Sequence, residues 1–142
     1  MSKIKVVLIG SGRVGFHLGR RMNEVGIEII QVFSRKKKKA SKLAQLIDSE
    51  PITNLKHAST KADLYILAVT DNVISEVSET LSKILPKDVL IVHTSGATPI
   101  TIFQNDFKRF GILYPLQSFS FEKEPNFPNI PICIDSKKKK DL

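Results

Sequence analysis

An aliphatic, β-branched run, Lys3–Ile9 (KIKVVLI), leads directly into Gly10-Ser11-Gly12-Arg13-Val14-Gly15. No other feature of the chain restricts its fold so much. The run alternates too little for a strand with one wet face, which points to a central parallel strand covered on both sides. Three glycines spaced G-x-G-x-x-G then provide a tight turn, a bare stretch of backbone, and a helix that packs closely on the strand it leaves. Val14, Leu18, Met22 and Val25 recur at helical spacing after the turn, and Gly26 suits a helix C-terminus. A second strand comes next at Ile27–Phe33. Strand, glycine turn, helix and strand in that order make a βαβ unit. The N–H groups at the start of its helix face any anion laid across the turn.

The rest of the chain repeats the alternation. Lys38–Ile47 reads as a helix that Pro51 stops, and Pro51–Leu55 holds a short third strand. Asp63–Thr70 and Asp88–His93 are further buried-strand runs, with a helix between them over Val73–Ile84 that ends at Pro86. Thr98–Phe107 reads as a short helix, Phe110–Leu116 and Ile130–Asp135 as two last strands, and Ser120–Asn129 as loop. The expected fold is α/β: a doubly wound, mostly parallel sheet in a single domain over residues 1–135, with 136–142 as a basic tail or linker. Cys133 stands in an apolar strand and reads as a core residue. As the one cysteine in 142 residues it forms no internal disulfide, and a reducing cytoplasm is the simplest home.

The net charge of +8 comes from two clusters, since Lys36–Lys39 and Lys137–Lys140 supply eight positive charges. Neither run is interleaved with aromatics, so solvated segments are a better reading than a nucleic-acid surface. No apolar run approaches the ~20 residues that a membrane span needs. His17, His57 and His93 fall in unrelated contexts, and no metal-ligand cluster is expected.

The glycine turn implies a dinucleotide held by Gly10, Ser11, Gly12, Arg13, Val14 and Gly15. The end of the second strand indicates which one. A site for NAD usually has Asp or Glu there, about 20 residues on, to bond the ribose 2′-hydroxyl. This chain has Phe33-Ser34-Arg35-Lys36, with Arg35 20 residues after Gly15 and no carboxylate to repel a 2′-phosphate. Ser34 offers a hydrogen bond and Arg35 a charged fork, with added positive potential from Lys36 to Lys39, so NADP is favoured over NAD. Ala68, Val69 and Thr70, at the end of the fourth strand, are small enough for a dinucleotide to lie across them, while Asp71-Asn72 read as an N-cap. The fifth strand ends in His93-Thr94-Ser95-Gly96-Ala97. His93 and Ser95 are the candidates for polarising a substrate; the alternative is a buried histidine with a capping serine. Tyr114-Pro115-Leu116-Gln117-Ser118 forms a pocket wall or a strand exit.

Taken together, IGSGRVGFHL at Ile9–Leu18, Ser34-Arg35, ADLYILAVTDNVI at Ala62–Ile74, HTSGA at His93–Ala97 and GILYPLQSFS at Gly111–Ser120 resemble the Rossmann-like oxidoreductases that carry a C-terminal helical domain of unknown function. That family is similar to pyrroline-5-carboxylate reductase, ketopantoate reductase and the deazaflavin-dependent NADP reductases. The resemblance implies cofactor contacts at Gly10, Gly12, Gly15, Ser34 and Arg35, and a nicotinamide-side pocket near Val69, His93 and Ser95. Family members continue for roughly another hundred residues of helix, so the resemblance also implies that a C-terminal domain, with a homodimer formed through it, is missing here. The expected function is an NADP(H)-binding domain of an oxidoreductase acting on a small carbonyl, imine or hydroxy acid. The alternative is a non-catalytic dinucleotide-sensing or scaffold module.

Overall fold

The computed structural model describes residues 4–142. Seven strands form one sheet: β1 (Lys5–Ile9), β2 (Glu28–Phe33), β3 (Glu50–Ile52), β4 (Leu64–Leu67), β5 (Leu90–His93), β6 (Arg109–Pro115) and β7 (Ile132–Ser136). They lie in the order β3-β2-β1-β4-β5-β6-β7, parallel except for the β6–β7 pair. Three α-helices cross over between strands: α1 (Arg13–Glu24), α2 (Lys37–Leu46) and α3 (Ile74–Ser82).

The continuous apolar runs of β1, β4 and β5 have a simple cause, since both faces of the sheet are covered. Val7, Ile9, Tyr65, Leu67 and Ile91 face one layer, which Ile74, Val77 and Leu81 of α3 and Phe103 and Phe107 complete. Val6, Leu8, Ile66 and Val92 face the other, under Leu18 and Met22 of α1 and Leu43 and Ala44 of α2. In β2 a register shift opposite Val6/Val7 lets Ile29 and Val32 share this second layer. Gln31 is buried and fully bonded: its Nε2 donates to Glu50 Oε1 at 2.6 Å and to the His57 carbonyl, and its Oε1 accepts from Ser59 N.

Four local expectations change. The second helix stops before Pro51, because Asp48 takes a left-handed φ of 51°, and Pro51 lies in the edge strand β3, where a missing N–H costs little. Thr98–Phe107 forms only a 3-10 turn over Ile100–Phe103, because Pro99 and the β-branched Ile100, Thr101 and Ile102 resist a longer helix. Asp71-Asn72 cap nothing through their side chains; they lie in a 3-10 turn before α3, where Thr70 Oγ1 donates to Asn72 Oδ1. Cys133 is exposed and not in the core. It sits on β7, which pairs with β6 on one side only and carries Ile132 and Ile134 exposed as well. The residues after β7 lie against β6: Lys137 N bonds the Phe110 carbonyl, and Asp141 holds Arg109 at 2.7 Å.

Candidate functional site

The parallel strands bring the ends of β1, β2, β4, β5 and β6 to one edge of the sheet. The order turns outward in both directions from β1, so the crevice lies between the ends of β1 and β4, where open α/β sheets bind ligands. Gly10 N bonds the Phe33 carbonyl and Ala68 N bonds the Ile9 carbonyl, fixing these ends side by side. Gly10 has φ +115°, and a Cβ there would run into the Ala68 carbonyl, so no other residue fits. A Cβ on Gly15 would strike the Gly10 carbonyl, which is how closely α1 packs on the strand it leaves. Above Gly12 the space is open.

α1 begins without a side-chain cap and with no acidic residue in its first turn. Its first helical bond runs from Phe16 N to the Gly12 carbonyl, leaving the N–H groups of Arg13, Val14 and Gly15 without helical acceptors. Ser11 beside them is 5% exposed, and its hydroxyl has no partner. Orphaned donors at a bare helix N-terminus suit a pyrophosphate, so the residues present fit the cofactor that the motif implies.

On the β2 side, Ser34, Arg35, Lys36 and Lys39 line an open hollow. Ser34 Oγ accepts from Lys36 N, which leaves its own proton to donate. Next to it lies a mostly apolar cleft walled by Phe33, Leu55, Val69, Val73 and Val77, with Arg35 and Glu76 at its rim. The sequence reading missed Leu55, Val73, Val77 and Thr80 as site residues. Helical spacing marks Val77 only as apolar, and nothing local shows that α3 and the turn at Leu55 meet across β2. It also missed the segment after β6. Phe119 stacks on the His17 ring, Phe121 meets Phe16 edge-on at 5.7 Å, and His17 Nε2 bonds the Ser120 carbonyl at 2.5 Å. The expected loop therefore lies along α1, beside the glycine turn.

On the β5 side the two conspicuous motifs touch. A Cβ on Gly96 would come within 2.5 Å of the Tyr114 ring, so HTSGA and YPLQ meet face to face. His93 is fully buried, with its ring 5.6 Å from that of Phe103. Its Nδ1 accepts from Ser95 N, and its Nε2 has no hydrogen-bond partner. Burial pushes its pKa below the ordinary value, while the carbonyls of Pro99 and Thr98 and the charge of Asp71 pull the other way. Ser95 Oγ accepts from Ala97 N and Thr98 N, so its hydroxyl proton is left to donate. Ser95 is itself nearly buried at 9% exposure and keeps a proton to donate at the end of β5, while His93 is completely enclosed.

The fold and this edge define a dinucleotide-binding domain of the Rossmann type. Residues 5–96 match the family described as NADP oxidoreductase, coenzyme F420-dependent, and the chain belongs to that family. A solved structure from Bacteroides fragilis, provisionally assigned as an NADP oxidoreductase, is similar over 98% of this chain and 54% of its own, with 31% identity and a TM-score of 0.93. Pyrroline-5-carboxylate reductase of Coxiella burnetii (18% identity, 80% and 44% covered, TM-score 0.72) shares the fold. So does prephenate dehydrogenase of Aquifex aeolicus, solved with NAD+ (22%, 82% and 43%, TM-score 0.70). The chain spans about half the length of these proteins. A comparison with curated proteins returns no match. Among the described residues no helix is long and apolar enough to cross a membrane.

Proposed function

We propose that this domain binds NADP(H) in preference to NAD(H), as the cofactor-holding part of an oxidoreductase acting on a small carbonyl, imine or hydroxy acid. The observation that carries the reading is the hollow at the end of β2, lined by Ser34, Arg35, Lys36 and Lys39 with no carboxylate among them. An NAD site usually has a carboxylate there to accept from the ribose 2′-hydroxyl; this hollow offers a serine hydroxyl and positive charge.

The helix α1 holds the pyrophosphate on the free N–H groups of its first turn. The apolar cleft of Phe33, Leu55, Val69, Val73 and Val77 takes the adenine. Arg35 and Ser34 hold the 2′-phosphate. When bound there, the cofactor would supply hydride-transfer chemistry. Ser95 donates its hydroxyl proton toward a substrate oxygen or nitrogen, which stabilises charge that develops there. His93 acts through Ser95: its neutral ring fixes the Ser95 N–H and so the direction of the turn. Sequence reading alone placed His93 on the substrate; its complete burial favours this positioning role.

Calorimetric titration of the chain with NADPH and NADH tests the reading. NADPH should bind at least about tenfold more tightly, a difference of about 1.4 kcal/mol. If neither binds below millimolar concentration, the proposal fails. If NADH binds as tightly, the phosphate role of the β2 end fails with it.

A further inference from the structure

The segment between β6 and β7 is an Ω-loop closed at its neck by one hydrogen bond. Leu116 N donates to the Pro131 carbonyl at 2.8 Å, so the chain leaves β6 and enters β7 side by side. Loops of this kind keep their shape by packing their own side chains. Phe119 does this at the base: it is buried and stacks on Phe127, whose 3-10 turn over Phe127–Asn129 leads into the buried Ile130. The tip, residues 120–126, has no such filling, and residues 121–124 are exposed.

The tip meets α1 at three side chains. His17 Nε2 donates to the Ser120 carbonyl at 2.5 Å, from 103 positions away in sequence. Phe121 meets Phe16 edge-on at 5.7 Å. Glu124 pairs with Arg20 at 3.5 Å, but its side chain is 74% exposed, so water weakens that pair. Behind these contacts a hollow of about 310 Å³ opens between α1 and residues 124–128. Few buried contacts and space behind them mark a segment that opens locally. His17 is the exception. It is buried on the face of α1 that Leu18 and Met22 make apolar, and among the described residues its bond to Ser120 is the only hydrogen bond it makes. An aliphatic side chain would fill the same space; the imidazole adds the tie to the tip. The tie lies one turn into the helix that the glycine turn opens, and Phe121 walls the hollow beside Ser11 and Phe16.

We propose that residues 120–126 are a lid beside the glycine turn, latched to α1 by His17, and that the latch sets how fast the cofactor enters and leaves. The inference rests on the reading of this edge as a dinucleotide site. With the lid down, Phe121 closes the side of the turn. With it lifted about the base at Phe119, a ligand passes. His17 touches the lid and not the ligand, which makes it a positioning residue. Weakening the latch therefore raises both exchange rates by one factor and leaves affinity alone.

The test is stopped-flow binding of NADPH and NADH to the wild-type chain, His17→Ala, His17→Gln and Phe121→Ala. Solvent exchange of the His17 ring N–H, followed by NMR in the wild type and Phe121→Ala, accompanies it. In His17→Ala association and dissociation should both speed up about tenfold, equally for the two cofactors, with dissociation constants within about twofold, as expected for the loss of one hydrogen bond. His17→Gln keeps an N–H for the Ser120 carbonyl and should stay close to the wild-type rates. Phe121 is exposed, so Phe121→Ala should leave the fold intact. It should raise both rates, and the ring N–H exchange with them, by roughly two- to tenfold, the worth of one aromatic pair. Unchanged rates in the two alanine variants would overturn the latch. So would weaker binding of Phe121→Ala at an unchanged association rate, which would make Phe121 a cofactor contact. If His17→Ala does not fold, Phe121→Ala decides by the same outcomes. If the wild type binds neither dinucleotide, the dinucleotide reading falls, and ring exchange decides the lid alone: faster exchange in Phe121→Ala supports it, and unchanged exchange overturns it.

Discussion

His93 shows how one buried ring holds a turn. Its Nδ1 is occupied as an acceptor from Ser95 N, so the neutral ring carries its proton on Nε2. A second proton would have to go on Nδ1 and would break the bond to the turn. Burial holds the folded pKa below the ordinary 6.5. Between the two values the unfolded chain binds the proton and the folded chain does not. Stability is therefore level above about pH 6.5 and falls as pH drops toward the folded value. Urea midpoints of the wild type should fall from pH 7.5 to pH 5.5, and His93→Gln should lose part of that slope. Parallel profiles would contradict the assignment. The sequence marks HTSGA as unusual and places both side chains at a strand end. It does not show which faces the edge, because that depends on the 3-10 turn at Ile100–Phe103 bringing Phe103 over the histidine.

At the scale of elements, β1, β4, β5 and the helices between them were legible because their apolar patterns match their coverage. β7 was not, since Ile132-Cys133-Ile134 has the composition of a core strand and only its place at the sheet edge leaves it exposed. The origin of the apolar cleft in α3 and the turn at Leu55 was likewise hidden, because no periodicity reports that Leu55 and Val77 meet. The segment after β7 is tied by Arg109, whose Nε and Nη2 both hold the Asp141 carboxylate while Nη1 donates to the Asp88 carbonyl. The bonded Arg109 guanidinium holds the Asp141 pKa below the usual 3.8, so this tie persists above that pH and is lost as pH falls through the lower folded value. Asp141→Ala should speed hydrogen exchange at Lys137, whose N–H bonds the Phe110 carbonyl. It should leave NADPH affinity unchanged, because Arg109 begins β6 and lies away from the strand ends that carry the proposed cofactor site. Unaltered exchange at Lys137 would show that the pair does not hold this segment.

Across the whole molecule, parallel pairing converts scattered segments into one edge. Ser11, Arg35, Val69, Ser95 and Phe121 are far apart in sequence, and the sheet order brings them to the same side. The glycine turn was readable from sequence because each of its positions answers a local steric demand. The walls around it come from α2, α3 and the segment after β6, and their meeting is a property of the packed fold. We propose that the end of β2 selects a phosphorylated ribose. The most direct measurement is the ratio of NADH to NADPH dissociation constants in the wild type and in Arg35→Ala. The ratio should fall at least about tenfold, through weaker NADPH binding with NADH nearly unchanged. Equal weakening of both cofactors, or an unchanged ratio, would contradict it.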